Sequence, residues 1–469
     1  MDNETLAFTP AVELAEMIRR KQLSPVELMT ALLARIEALN PRVNAFAYLA
    51  ADAAMDAAKR AEAALMKQEH IGRLHGIPAT IKDLAITKDM PTQNGSHIFA
   101  GNQPKEDTPV VTRLCDEGAI ILGKTTTSEF GWTGVSHSPL TGITHNPWKH
   151  GYNAGASSAG AGAASAAGFG PLHQGSDGAG SIRMPSHFCG VFGLKPTFGR
   201  VPYYPVSTGD LTSHMGPMTR TVADSALMLE VMAGPHPLDY TSCEAGPANY
   251  LARLHEGIRG KRIAYSPDLG VARVDPDVAA LVKAAVARFT ELGATVEEVK
   301  TPWAAEGPEM IRFFWAAHMS RLVPQLAKWE AKMDPGLVAC IKAAHNYSVT
   351  EYQLMREQKM VYIASMHRWF DDWDFLLTPS VSVAAFPAEL LMPKHWPQHD
   401  WDWLSWAEFS YPFNMSWNPA SNVPCGFTAD GLPVGLQIVG RRFDDLGVLQ
   451  ASAAFEQVQP WADKRPTIA

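Results

Sequence analysis

The chain has 469 residues, 46% hydrophobic and 19% charged, a balance that supports a large buried core and argues against disorder. Its net charge is −8 with no long basic run, so a nucleic-acid surface is not expected. No apolar run reaches the roughly 18 residues of a membrane span, the opening MDNETLAFTP lacks a basic-then-apolar leader pattern, and the five scattered cysteines fit free thiols in a reducing cytoplasm, without a structural zinc.

Residues 1–65 predict helices. Thr9 caps a helix that Pro10 begins, Ser24 with Glu27 three positions on forms a capping box, and Asn40-Pro41 predicts that helix's end. Over 66–300 the texture changes to short β-branched runs bounded by glycine. GIPATIKDLA (76–85) and GAIILGKT (118–125) predict buried strands, 221–234 a helix, 261–270 a strand, and 274–300 a helix then a strand. Alternating strands and helices predict an α/β fold. Residues 301–417 hold ten of the thirteen tryptophans and predict a mostly helical substrate region. Residues 418–469 return to the core, with Asp430-Gly431 predicting a hairpin turn. No internal repeat is visible, and the whole of 1–469 reads as one domain.

GAIILGKT also satisfies the phosphate-loop pattern GxxxxGK[ST]. A phosphate cradle needs flexible residues between its glycines, and Ala-Ile-Ile-Leu instead reads as the strand itself, so nucleotide binding is not expected. His137, His145 and His150 fall near each other but match no common zinc spacing, so no metal role is expected.

The stretch GYNAGASSAGAGAASAAGFG (151–170) is uncharged and nearly all Gly, Ala and Ser. A flexible linker would be more polar. A second cluster, GSDGAGSIRMPS (175–186), follows at once, and together they suggest backbone amides gathered where negative charge develops.

On these residues the chain resembles the amidase signature family. GASSAG (155–160) stands for the family's GGSSGG-type segment, DGAGSIR (177–183) for its DxGGSIR segment, and GIPATIKD (76–83) for its lysine strand. Ser157 and Ser181 are 24 positions apart, matching the family's separation. The likeness continues through GLKPTFGRV (193–201), GPMTRTVAD (216–224) and DGLPVGLQIVG (430–440), but not through the Trp-rich segment. Ala156, Ala159 and Ala179 stand where the family has glycine; Ala179 would be strained if its backbone needed a positive φ.

The resemblance implies an amidase signature fold, a mixed central β-sheet covered by helices on both faces. It implies Ser181 as nucleophile, Ser157 as the bridging hydroxyl and Lys82 as the base, with Ser158 the competitor for the bridging position. A hydroxyl can relay a proton because it both donates and accepts. A lysine can accept only when neutral, and burial lowers its pKa; Asp83, on the opposite face of the strand, need not pair with it. The backbone amides of Gly178, Ala179, Gly180 and Ser181 are the expected oxyanion hole, and Asp177 and Arg183 the loop's support. Gly131, Trp132, Met184 and Trp315 are expected to touch substrate.

The expected activity is hydrolysis of a C–N bond in an anilide, or second in an aryl carbamate, through an acyl-Ser181 intermediate. No cofactor, nucleic-acid partner or membrane contact is expected; a homodimer is. Two alternatives are the glutaminase subunit of a tRNA-dependent amidotransferase and a catalytically dead amidase scaffold that only binds. At least half of the tryptophans in 301–417 are expected to fill core rather than line a pocket.

Overall fold

The computed structural model describes residues 1–209, 212–244 and 249–468. Eleven strands form one mixed sheet. In chain order they are β1 (Phe46–Leu49), β2 (Pro78–Lys82), β3 (Ile120–Thr125), β4 (Leu172–Asp177), β5 (Phe192–Lys195), β6 (His214–Thr219), β7 (Arg262–Tyr265), β8 (Thr295–Glu298), β9 (Phe375–Pro379), β10 (Ala420–Phe427) and β11 (Pro433–Gly440). Across the sheet the order is β1-β3-β2-β4-β6-β5-β10-β11-β9-β7-β8. β2 runs parallel to β3 and β4, whereas β4, β6, β5, β10, β11 and β9 pair antiparallel in succession.

Helices flank the sheet because its strands are apolar on both faces. Phe375 and Leu377 of β9 enter one core while Leu376 enters another, and Ile263, Ala264 and Tyr265 of β7 divide the same way. Strands buried on both faces show no alternation of exposure, and β2 and β4 are buried at every residue.

Four helices matter for the site: α1 (Pro25–Val43), α2 (Ala159–Ala167), α3 (Arg183–Cys189) and α4 (Gly307–Met319). α1 begins at the expected Ser24 cap, whose hydroxyl accepts from the amides of Val26 and Glu27. It runs past Pro41 to Val43 and stops at left-handed Asn44. Proline removes one hydrogen bond, which a final turn tolerates, so the expected end at Asn40-Pro41 comes one turn early. The preceding helix also starts one residue late, at Ala11 with Pro10 as its cap.

The small-residue stretch is no linker. Its second half is α2, whose nine residues are all buried. A methyl on Gly160 would stand 2.1 Å from the Ala45 carbonyl oxygen, and one on Gly162 3.1 Å from Pro185 of α3. Small side chains here let backbone meet backbone.

GAIILGKT contributes β3, and the Lys124 ammonium is buried, donating to the Ala85 carbonyl at 2.7 Å and the hydroxyls of Thr92 and Thr87 at 2.6 and 3.2 Å. The 301–417 segment is helical for most of its length but also supplies β9 to the main sheet, which sequence periodicity missed. The 430–431 turn lies in a five-residue connection, 428–432, rather than a two-residue one.

Candidate active site

β2 and β4 are parallel neighbours that end side by side, β2 with Lys82 and β4 with Asp177. Ligands of open α/β sheets gather at the carboxyl ends of parallel strands. Here the segment before α2 brings Ser157, and the loop from β4 into α3 brings Ser181. The Lys82 ammonium nitrogen, fully buried, donates to Ser157 Oγ at 2.7 Å, to Ser176 Oγ at 3.0 Å and to the Ser176 carbonyl at 3.4 Å. Burial holds its pKa well below the ordinary lysine value, opposed by the charge of Asp177. Asp83 turns away and lies 3.7 Å from Lys124.

Ser158 does not compete for the lysine. Its hydroxyl donates to the Ser176 carbonyl at 3.1 Å and accepts from the Ser176 amide at 3.2 Å, while its own amide donates to the Ser181 carbonyl at 3.2 Å. It ties the two serine-bearing segments together. Gly131 packs against Ser157: a methyl there would stand 3.1 Å from Ser157 Oγ.

The loop that carries Ser181 is held by one buried carboxylate. Asp177 Oδ1 accepts from the Gly180 amide at 2.7 Å, from Arg183 Nη2 at 2.9 Å and from Asn414 Nδ2 at 2.8 Å. Its Oδ2 accepts from the Ile182 amide at 3.1 Å and from Arg183 Nε at 2.9 Å. Arg183 reaches onward to the Ser410 carbonyl, Gln437 Oε1 and Asn414 Oδ1. Burial by itself would raise the Asp177 carboxyl's pKa, but the Arg183 charge and these hydrogen bonds hold it well below the usual carboxylate range.

Because the Gly180 amide is occupied by Asp177, it drops out of the expected oxyanion hole, leaving the amides of Gly178, Ala179 and Ser181. Positive φ in these segments falls on Gly155 (+76°) and Gly180 (+121°) and not on Ala156, Ala159 or Ala179. The three Gly-to-Ala departures therefore sit where a Cβ is tolerated.

Ser157, Ser176, Gly178 and Ser181 share a cavity of about 250 Å³. Its other walls include Leu84, Phe130, Gly131, Tyr203, Ile311, Phe314, Trp315 and the exposed Arg321. Of the four expected substrate contacts, Gly131 and Trp315 line this cavity. Trp132 and Met184 do not: both are fully buried behind it. The Trp132 carbonyl accepts from the indole N–H groups of Trp315 (2.8 Å) and Trp403 (2.7 Å), so this residue anchors the aromatic core rather than meeting solvent. Trp315 packs edge-to-face on Trp403, whose other neighbour is Trp406. Among the ten tryptophans of 301–417 only Trp315 lines the cavity; eight others fill or flank the core, and Trp417 stacks on Phe198. The apolar wall is built instead by Phe130, Phe314 and Tyr203, which no motif marked.

Sequence reasoning also missed Ser176 and Asn414. Ser176 could have been found, since it immediately precedes Asp177 in the quoted cluster. Asn414 lies 237 positions from Asp177, and nothing local announces it. Of the three noted histidines, His137 pairs with Asp334 at 2.8 Å, while His145 and His150 stack on each other with ring centres 3.9 Å apart.

The Amidase family profile matches residues 27–449. The chain is 39% identical to an acylamidase of Rhodococcus erythropolis over 477 aligned positions, covering 99% of this chain and 98% of that one. It is 33% identical to a glutamyl-tRNA(Gln) amidotransferase subunit of Chloroflexus aggregans, covering 96% of each. The structure superposes on that of a bacterial aryl acylamidase with a TM-score of 0.90 at 30% identity, covering 98% of this chain and 99% of that one. A 6-aminohexanoate cyclic dimer hydrolase matches with the same TM-score at 27% identity, covering 98% of this chain and 99% of that one. The chain belongs to the amidase signature family. It is an amidohydrolase that cleaves amide C–N bonds, built on the family's α/β fold.

Proposed function

We propose that the enzyme hydrolyses aryl acylamides through a covalent acyl-Ser181 intermediate. The carrying observation is the 2.7 Å contact between buried Lys82 and Ser157 in a cavity shared with Ser181. Neutral Lys82 takes the Ser157 proton as Ser157 takes that of Ser181, and the Ser181 oxygen adds to the substrate carbonyl. The amides of Gly178, Ala179 and Ser181 face the developing oxyanion. Collapse breaks the C–N bond, and the proton returns through Ser157 to the departing amine. Water then attacks the ester by the same relay, releasing the acid and restoring Ser181. Ser176 holds the lysine's remaining hydrogen bonds and so aims it at Ser157.

The acyl-amide choice rests on the aromatic wall of Phe130, Phe314, Trp315 and Tyr203, which suits an aryl group better than a small polar amide. Aryl carbamates come second, since their carbonyl would use the same amides and release the same aniline. The test is kcat/KM for 4-nitroacetanilide, an aryl carbamate and glutamine under one condition. Anilide first is expected; a clear preference for glutamine would overturn the reading and restore the amidotransferase alternative. A dead scaffold would leave Ser181 unlabelled by a fluorophosphonate.

Two further readings belong here. Five free cysteines support a reducing, cytoplasmic setting, and no helix among the described residues is long and apolar enough to cross a membrane. Exposed Val349, Leu354, Met360 and Val361 on one helix support a homodimer, which light scattering of Val361→Glu against the unaltered protein would test.

A further inference from the structure

The cavity beside Ser181 has an uneven charge. Among its described lining residues there is no aspartate or glutamate, and Arg321 is the one side chain with a permanent charge. Arg321 follows the C-terminal end of α4. One of its nitrogens, Nη1, donates to the His318 carbonyl at 3.0 Å and touches Met319 Sδ at 3.7 Å. That contact caps the helix end but uses one arm of a five-donor fork. Among the described residues Arg321 has no ion-pair partner, whereas Arg312 on α4 is paired with Asp402 at 2.8 Å. Tyr203, Arg321 and Ser176 line the same cavity, and Ser176 Oγ is 3.0 Å from Lys82. Arg321, itself exposed, therefore shares one cavity with Ser157 and Ser181, and the cavity's apolar walls focus its field.

We propose that Arg321 binds a carboxylate carried by the substrate at the end remote from the scissile carbonyl. The proposal rests on the acylamide reading and narrows it: the preferred substrates are acylamides with an anionic tail, and cationic tails are rejected. A planar guanidinium suits this because two parallel N–H groups match a carboxylate's two oxygens.

The test uses matched pairs that differ only in the remote group. On the acyl side these are the 4-nitroanilides of glutaric acid (one carboxyl free) and of pentanoic acid. On the amine side they are 4-acetamidobenzoate and 4-acetamidobenzamide. In at least one pair the carboxylate member should lead by about tenfold in kcat/KM, chiefly through KM. The lead should shrink in 1 M salt, where the Debye length is about 3 Å. Arg321→Gln should remove it and Arg321→Lys should restore part. Asp210, between Gly209 and Thr212 in the sequence, lies outside the described residues; Asp210→Asn tests whether it already neutralises the arginine. A carboxylate-to-neutral ratio that is the same in the unaltered enzyme and Arg321→Gln would overturn the proposal. So would a preference that appears only in Asp210→Asn. Failure to hydrolyse either neutral anilide would instead overturn the acylamide reading beneath it.

Discussion

Asp177→Asn isolates the group that holds the Ser181 loop, because it keeps the shape of the side chain and removes its charge. In the structure the two carboxylate oxygens accept five hydrogen bonds at 2.7–3.1 Å, from the amides of Gly180 and Ile182, two nitrogens of Arg183 and one of Asn414. An asparagine has one acceptor oxygen, so its NH2 must face two or three donors in either orientation. Those donors lose their partner, and the fully buried Arg183 loses its counter-charge. Breaking a buried ion pair in this way costs about 3–5 kcal/mol, set against a typical total stability of roughly 5–15 kcal/mol. The variant should therefore fold, with its urea midpoint lowered and its m-value unchanged. Anilide kcat/KM should fall by about 10² or more, since the Gly180 tie beside Ser181 is lost. The pH dependence has a definite sign. A carboxyl whose folded pKa is depressed contributes stability above its unfolded value, about 3.9, and loses that contribution as pH falls toward the folded value. The gap between the unaltered protein and Asp177→Asn should hold from pH 7 to pH 5 and narrow below about pH 4. A midpoint difference worth less than about 1 kcal/mol at pH 7 would refute the claim that this carboxylate organises the loop.

Three further outcomes are expected. Ser181→Ala should lower kcat by about 10³ or more with the thermal midpoint nearly unchanged, read by steady-state kinetics and calorimetry. Activity should rise with pH as Lys82 loses its proton, and Lys82→Ala should abolish that limb; because the folded pKa is depressed, the unfolded chain binds more protons below the ordinary lysine value, so Lys82 opposes folding at neutral pH and its penalty fades as pH rises toward about 10.4. Gly131→Ala places a methyl 3.1 Å from Ser157 Oγ and 3.0 Å from Leu84 at a φ of +70°, so stability should drop by about 1–2 kcal/mol and kcat should fall more than KM rises.

Much of the site was legible because its parts are local in sequence. Lys82 closes a short apolar strand, and Ser157, Asp177, Ser181 and Arg183 lie within 27 residues of one another. Hydrophobic runs bounded by glycine marked the strands correctly at 78–82, 120–125 and 262–265. Where local signals misled, a tertiary contact had intervened. Trp132 is an exposed-looking aromatic in a loop, yet its carbonyl is the acceptor for two indoles that arrive 183 and 271 positions later. β9 hides in a helical segment because a fully buried strand shows no alternation to distinguish it from a buried helix.

The chain by itself determined which groups are available: two serines, a lysine and a glycine-containing loop, all encoded by residue type and spacing. Only the tertiary structure decided the environment of those groups. It buried Lys82 and so depressed its pKa, assigned the lysine to Ser157 rather than Ser158, committed the Gly180 amide to Asp177, and chose Phe314, Tyr203 and Arg321 over most tryptophans as cavity wall. The reason is physical. Covalent order sets what a side chain can do, whereas desolvation, hydrogen-bond partners and the cavity's shape come from segments hundreds of residues apart, and no local pattern records which of them will meet.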